Sequence, residues 1–147
     1  MIRQATVTEF TSMPGFRSLI DEYCAEARRI DAYGDAAPTV ERYKFLEKLG
    51  LVRLMVSEID GRLEGFALGI VSPEMHHGKT VLFLDCFFVR KSARKGGDAL
   101  RLFDAMRQAS HRDGMIGMLC GAPAGGKAER LFKAMGLRSE QTLFWAG

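Results

Sequence analysis

The chain has 147 residues, the length of one ordinary domain and too short for two independent catalytic lobes. Hydrophobic residues make up 47% of it and charged residues 27%, a balance typical of globular proteins that argues against a disordered chain. A formal charge of +3 falls well short of the dense basic stripe of nucleic-acid-binding proteins, and the sequence lacks an apolar run long enough for a membrane span.

The cysteines are few and widely spaced. Cys24, Cys86 and Cys120 form no CxxC pair, so neither a disulfide framework nor a zinc site is predicted, and no metal is expected. The N-terminus carries no apolar core of a signal peptide. We therefore expect a single domain over residues 1–147, located in the cytoplasm.

The first third of the chain is predicted to contain one strand and two helices. Ile2–Val7 has strand character, and Thr8 is a candidate cap for the segment that follows. Apolar residues at helical spacing predict a helix over Gly15–Ile30. A second, less regular helix is predicted over Val40–Leu49.

The middle of the chain is predicted to form three strands. Leu51–Ile59 and Leu63–Val71 flank Asp60-Gly61, a dipeptide favoured in two-residue hairpin turns because both positions need positive φ. Ser72–Lys79 is interpreted as a loop. The following strand, Thr80–Val89, is apolar on both faces, which is typical of a central buried strand.

The last third alternates helices and strands. A helix to about Arg112, a strand over Met115–Cys120, a helix over Gly126–Met135 and a final strand over Arg138–Trp145 are predicted. The order β-α-α-β-β-β-α-β-α-β combines a hairpin with two strand-helix-strand crossovers. It indicates an α+β fold with three α/β/α layers, in which helices flank a mixed, mostly antiparallel sheet.

One junction carries the strongest functional signal. Arg94-Lys95-Gly96-Gly97-Asp98-Ala99 lies between the apolar strand that ends at Val89 and the next helix. Glycines allow close backbone approach, and the first N–H groups of a helix point toward a bound anion. With Arg90 and Lys91 nearby, the pattern predicts a pyrophosphate site, although a solvated basic turn would give the same residues.

A second glycine-bearing turn matches a different phosphate-binding motif. Residues 121–127 fit GxxxxGK between a strand and a helix. Ala128 replaces the Ser or Thr that would ligate magnesium, and no acidic strand end follows. A nucleoside triphosphatase is therefore not the favoured interpretation.

At these residues the sequence resembles the GNAT superfamily of acyl-coenzyme A N-acyltransferases. The family hallmark, Arg/Gln-x-x-Gly-x-Gly/Ala after the fourth strand, is matched by Arg94-x-x-Gly97-x-Ala99. Leu84–Val89 resembles the family's fourth strand, and Ala128–Leu137 resembles its late helix and turn. The resemblance covers nearly the whole chain.

The resemblance implies that acetyl-coenzyme A is bound as co-substrate. Backbone N–H groups from Arg94 through Lys95, Gly96, Gly97 and Asp98 to Ala99 would hold its pyrophosphate. Pantetheine would hydrogen-bond along Phe87 and Val89, where family members splay the fourth strand from the fifth. An amide near Val89 would polarise the thioester carbonyl.

Acyl transfer to an amine needs a base, because an alkyl ammonium of pKa ~10.4 is not a nucleophile. Asp85 interrupts an apolar strand where relatives often carry an acidic residue, and burial there would make its carboxylate more basic; a structural carboxylate is the alternative. Glu58 and Glu64 are expected to be solvated. His76 and His77 are expected to be exposed loop residues.

Two positions depart from the family pattern. Phe132 stands where relatives often place a tyrosine that protonates the leaving thiolate, so that Cys120, Ser139 or water would have to replace it. Gly125 stands where relatives commonly place an asparagine that touches the cofactor. These departures keep open a catalytically weak or inactive module that only binds or senses acyl-coenzyme A.

The sequence and the resemblance together favour an N-acetyltransferase that moves an acetyl group to a primary amine by direct attack in a ternary complex. The sequence shows no Ser-His-Asp or Cys-His set, so a covalent acyl-enzyme intermediate is not expected. The acceptor would be a small-molecule or peptide amine, with no nucleic-acid or membrane partner, and Asp31, Tyr33 and Asp35 could line an entrance for a cationic one. The sequence does not decide between a monomer and a homodimer.

Overall fold

The structure is a computed structural model that describes residues 1–27, 38–140 and 146. Within these residues the chain forms one five-stranded sheet in the order β1-β2-β3-β4-β5. The strands are β1 (Ile2–Gln4), β2 (Val52–Ile59), β3 (Arg62–Glu74), β4 (Lys79–Val89) and β5 (Met118–Cys120). The helices are α1 (Val7–Ser12), α2 (Phe16–Glu26), α3 (Val40–Lys48), α4 (Asp98–Arg112) and α5 (Lys127–Ala134).

The sheet is mixed, as predicted. Strands β1 to β4 pair antiparallel, and β5 pairs parallel with β4. One apolar cluster packs α1, α2 and α3 on one face, and a second packs α4 and α5 on the other. The predicted three-layer α+β architecture is therefore confirmed.

The predicted hairpin is also confirmed, since Asp60 and Gly61 both adopt positive φ, 51° and 74°. The predicted loop at 72–79 is wrong at both ends, because β3 continues to Glu74 and β4 begins at Lys79. The β3–β4 ladder extends into this stretch, where Ser72 pairs with Val81 and Glu74 pairs with Lys79. Only residues 75–78 are left as the turn between the two strands.

Several predicted ends need correction. The first strand ends at Gln4 and not at Val7, because Thr6, and not Thr8, caps a short helix by accepting the Glu9 N–H at 3.0 Å. Helix α2 ends at Glu26, and the remainder of its predicted range from 28 on lies outside the described residues. The predicted strand from Met115 begins at Met118. Residues 138–140 have no strand conformation, and 141–145 lie outside the described residues.

Strand β4 contains a bulge at Asp85. Leu68 of β3 pairs with Cys86 and Gly69 pairs with Leu84, so Asp85 is an extra residue in the ladder. Leu82 and Leu84 pack against the α4 side, whereas Cys86 and Phe88 pack against the α1–α3 side. Because side chains alternate along a regular strand, this change of face requires the inserted residue.

Arg90 fixes the end of β4 to α2 and β3. Its side chain is buried, with 3% exposure, and donates to the carbonyl oxygens of Leu63 at 3.0 Å and Gly15 at 2.8 Å. It also donates to Ser18 Oγ at 2.7 Å and to the Glu22 carboxylate. These acceptors bind the guanidinium from several sides and offset the cost of burying its charge.

Replacing Arg90 should destabilise the fold strongly. Arg90→Met leaves buried carbonyls and a carboxylate without a donor, and we expect the free energy of unfolding to fall by about 3–5 kcal/mol. Lys91→Met is the control: it removes an exposed ion pair to Glu26 at 3.6 Å and should change the free energy of unfolding by less than about 0.5 kcal/mol. Urea unfolding monitored by circular dichroism compares the two. Equal effects would contradict the structural role of Arg90.

Candidate functional site

The junction between β4 and α4 ends in an open helix N-terminus. A 3₁₀ turn, Arg94–Gly96, leads to Gly97, whose φ of +78° is left-handed and favours glycine. No side chain caps α4, and among the described residues no acceptor takes the N–H of Gly97, Asp98, Ala99 or Leu100. These amides and the dipole of a 15-residue helix make this end of α4 favourable for an anion.

The N-terminus of α5, in the GxxxxGK turn, differs in this respect. The Gly125 N–H donates to the Glu129 carboxylate, and the Gly126 N–H donates to the Pro123 carbonyl at 2.9 Å. A carboxylate thus occupies the place where a phosphate would bind, and hydrogen bonds from Lys133 and from the Gly125 N–H lower the pKa of Glu129. This arrangement agrees with the sequence argument against a nucleoside triphosphatase.

The cations near the junction are engaged by protein groups to different degrees. Arg94 donates to the Val89 carbonyl at 2.8 Å and to Glu26 at 2.9 Å, and its guanidinium lies 5.4 Å from the centre of the Phe88 ring. Lys91 also pairs with Glu26, while Lys95 is exposed. The expectation that Arg90 contacts a polyanion is wrong because its side chain is buried in the fold, and the Arg94 side chain chiefly holds the turn against β4.

Asp98 places its backbone amide in the first turn of α4, whereas its side chain is buried in the protein. The carboxylate is close to Ser57 Oγ, at 3.4 Å, and to the Arg101 guanidinium. A negative charge in the first turn of a helix is also favourable toward the helix dipole. Gly96 and Gly97 are less buried than Asp98, and a Cβ on Gly96 would meet nothing within 4 Å.

Among the residues that the structure describes, the edge of β4 beyond the bulge has no strand partner on the β5 side. Strand β5 pairs with β4 through Leu82, Phe83 and Leu84. The Arg90 N–H donates to the Glu64 carbonyl at 2.8 Å, which makes Val89 opposite Gly65 a non-hydrogen-bonded pair of the antiparallel ladder. By the same alternation, the N–H and C=O groups of Phe87 and Val89 point away from β3 into the gap on the β5 side.

An aromatic cluster lies beside this gap. Phe132 is buried, with its ring centre 6.4 Å from that of Phe87 and 5.8 Å from that of Phe103. No hydroxyl is present at this position to protonate a leaving group. Cys120 is partly buried, which raises the pKa of its thiol to about 11, and Ser139 is exposed.

A polar cluster lies on the other face of the sheet, at the bulge. Tyr43 Oη donates to Asp85 Oδ2 at 2.6 Å, and Tyr23 Oη donates to Cys86 Sγ at 3.5 Å. The Cys86 thiol lies 3.6 Å from the same Asp85 oxygen. Asp85 itself is exposed, so the expected burial of this carboxylate is wrong: as the bulged residue it projects into an open cleft.

The phenols and the thiol of this cluster stay protonated at neutral pH. Burial is the main cause that raises the pKa values of Tyr23 and Tyr43 well above their usual range. Burial likewise raises the pKa of Cys86 to about 11. Cys86 is therefore a poor nucleophile, which is consistent with the absence of a covalent acyl-enzyme set.

Tyr43 was not among the candidate site residues predicted from the sequence. Val40, Tyr43 and Leu46 follow one another at helical spacing on α3, and this apolar face could have placed Tyr43 against the sheet. The helical spacing does not indicate that Asp85 is the hydrogen-bond partner of Tyr43. The open cleft beside the cluster measures about 480 Å³ and is lined by Tyr23, Tyr43, Asp85, Cys86, Arg42 and Ile70, among others.

The remaining candidates lie away from the cleft. Glu58 and Glu64 were expected to be solvated, but each side chain is only about one-seventh exposed, at 14% and 13%. Glu58 pairs with Arg3 at 2.8 Å. His77 Nδ1 lies 2.6 Å from Glu74, a contact that lowers the pKa of Glu74, and both histidines are exposed as predicted. Asp31, Tyr33 and Asp35 lie outside the described residues.

Within the ranges that the structure describes, no cluster of His, Cys, Asp and Glu could hold a metal ion. None of the described helices is long and apolar enough to cross a membrane.

Solved structures resemble this chain along its full length. A ribosomal-protein-alanine N-acetyltransferase from Brucella melitensis biovar Abortus 2308 is 19% identical, with a TM-score of 0.74 and coverage of 100% of this chain and 99% of that one. An aminoglycoside acetyltransferase, HMB0005, from an uncultured soil metagenomic sample is 15% identical, with a TM-score of 0.77 and coverage of 100% and 97%.

AAC(6')-Iy, solved in complex with the bisubstrate analogue CoA-S-monomethyl-acetylneamine, is 20% identical, with a TM-score of 0.75 and coverage of 100% and 97%. The chain has the GNAT fold. No protein-family model and no curated protein sequence matches it. The predicted fold is thereby confirmed, and its structural neighbours are acetyltransferases.

Proposed function

We propose that this protein transfers an acetyl group from acetyl-coenzyme A to a primary amine by direct attack in a ternary complex. The open amides at the start of α4, next to the unpaired edge of β4, are the observation on which the proposal rests. The solved complex of AAC(6')-Iy with a coenzyme A analogue supports it. Full coverage of the similar chains also supports residues 1–147 as one catalytic domain.

The residues of the junction fit coenzyme A. The amides of Gly97, Asp98, Ala99 and Leu100 would hold the diphosphate, with the exposed Lys95 as an additional cation. The N–H and C=O of Phe87 and the N–H of Val89 face the gap and would bind the amides of pantetheine, whereas the Val89 carbonyl already accepts from Arg94 at 2.8 Å. When bound, acetyl-coenzyme A supplies an activated thioester.

Strand geometry favours Phe87 over Val89 as the donor to the thioester oxygen. A strand rises about 3.3 Å per residue, so the Phe87 Cα lies about 7 Å from that of Asp85 and the Val89 Cα about 13 Å from it. The donor and the base must act on neighbouring atoms of one reaction. We therefore revise the assignment made from the sequence and place Val89 along the pantetheine arm.

Asp85 is the proposed base. Its carboxylate is exposed in the cleft and would accept the proton that the attacking ammonium loses. Tyr43 donates to one oxygen of that carboxylate and keeps it oriented. The amine nitrogen then bonds to the acetyl carbon as the carbon–sulfur bond breaks.

The leaving thiolate has no strong acid nearby among the described residues. Protonation by Cys120, with a thiol pKa of about 11, would be uphill toward a thiolate whose acid has a pKa of roughly 8.5. A thiolate whose acid has a pKa of roughly 8.5 can instead leave without prior protonation and take up its proton from solvent afterwards. The buried Phe132 also favours the second candidate function, an acyl-coenzyme A-binding module without turnover. Release of free thiol with a panel of amines distinguishes an enzyme from such a module.

A substitution in the turn before α4 tests the cofactor site. Gly97→Asp forces a side chain into left-handed backbone and adds negative charge beside the open amides, so stabilisation by coenzyme A in a thermal shift assay should be lost. Gly114→Asp is the matched control, because Gly114 has the same φ of +78° at the other end of α4 with nothing within 4 Å of its Cβ. A normal shift in Gly97→Asp would contradict the site.

Substitutions in the cleft test the base. Asp85→Asn should lower kcat by about 10²–10⁴-fold while leaving the thermal shift with coenzyme A intact. Tyr43→Phe removes one hydrogen bond to the carboxylate and should lower kcat by about tenfold, whereas Tyr23→Phe, whose hydroxyl contacts Cys86, should have a smaller effect. Unchanged thiol release in Asp85→Asn would exclude it as the base.

A further inference from the structure

A second cavity adjoins the cleft. It measures about 50 Å³, and its lining includes Phe10, Phe16, Val40, Phe66 and Leu68. By the same kind of measure, roughly 10–15 Å³ holds one water, so the cavity accommodates a small group of several atoms.

The wall of this cavity is almost entirely apolar. Phe10, Phe66 and Leu68 are buried core residues of the α1–α3 side. The Thr11 hydroxyl, which also lines it, already donates to the Thr8 carbonyl at 2.9 Å. Water inside would find few hydrogen-bond partners, whereas an apolar group would gain contacts.

The cavity and the cleft share three residues, Pro38, Tyr43 and Cys86. Tyr43 is in turn 2.6 Å from the Asp85 carboxylate. A ligand with its nitrogen beside Asp85 would therefore have this apolar space close by, because Tyr43 and Cys86 line both spaces. Arg42 also lines the cleft, and its positive charge would disfavour a second ammonium group on the same ligand.

We propose that the acceptor is a primary amine carrying a compact apolar group, which enters the cavity beside Tyr43 and Cys86 while the nitrogen lies at Asp85. This assignment rests on the proposed acetyltransferase function and narrows its substrate class. It places a short alkylamine or arylalkylamine ahead of polycations such as polyamines and aminoglycosides.

A homologous series of n-alkylamines from methylamine to hexylamine tests the proposal, with spermidine and an aminoglycoside as polycations. Thiol release from acetyl-coenzyme A measures kcat/KM for each. We expect kcat/KM to rise about fourfold per added methylene and then to fall once the chain outgrows the cavity. A flat series, or preference for a polycation, would overturn the apolar site while leaving the acetyltransferase intact. No turnover with any amine would overturn both proposals.

Two substitutions of the half-buried Val40 locate the effect. Val40→Phe fills the cavity and should raise KM for butylamine at least about tenfold with little change for methylamine; Val40→Ala enlarges it and should move the optimum to a longer chain. Val81→Phe is the matched control, since Val81 is also half-buried but lines neither space. The same chain-length optimum in both Val40 variants and the unmodified protein would overturn the proposal.

Discussion

The bulge at Asp85 is the constraint on which the whole site depends. One inserted residue turns the side chains after it to the opposite face, so Cys86 and Phe88 join the α1–α3 core instead of the α4 core. It also reverses which backbone groups face β5. Because β5 pairs with β4 up to Leu84, the Phe87 groups and the Val89 N–H have no backbone partner on that side among the described residues.

In the proposed coenzyme A site, backbone amides and not arginine side chains would bind the anion. Arg90 and Arg94 hold β4, α2 and the turn together, which fixes where α4 begins. Helix α5 shows the opposite arrangement, because its own Glu129 caps the preceding turn. Two similar glycine-bearing turns in one chain thus differ in whether their amides are available to an anion, because a protein carboxylate occupies one of them.

The elements that depend on local sequence could be predicted. The hairpin at Asp60-Gly61 and the start of α4 after Gly97 follow from residues within a few positions of each other. The role of Arg90 could not be predicted, because its partners Gly15 and Glu22 lie about seventy residues away in sequence. The pairing of Tyr43 with Asp85 was missed for the same reason, and it further requires a bulge that no pattern in β4 marks.

Calorimetric titration with coenzyme A and with pantetheine tests most directly whether the open amides of α4 hold a diphosphate. Both ligands can reach the free edge of β4, but only coenzyme A carries the diphosphate that would bind Gly97, Asp98, Ala99 and Leu100. Charge-assisted hydrogen bonds of about 1.5–3 kcal/mol each predict a Kd for coenzyme A at least about 100-fold lower than for pantetheine. Equal affinities for the two ligands would contradict an anion site at this junction.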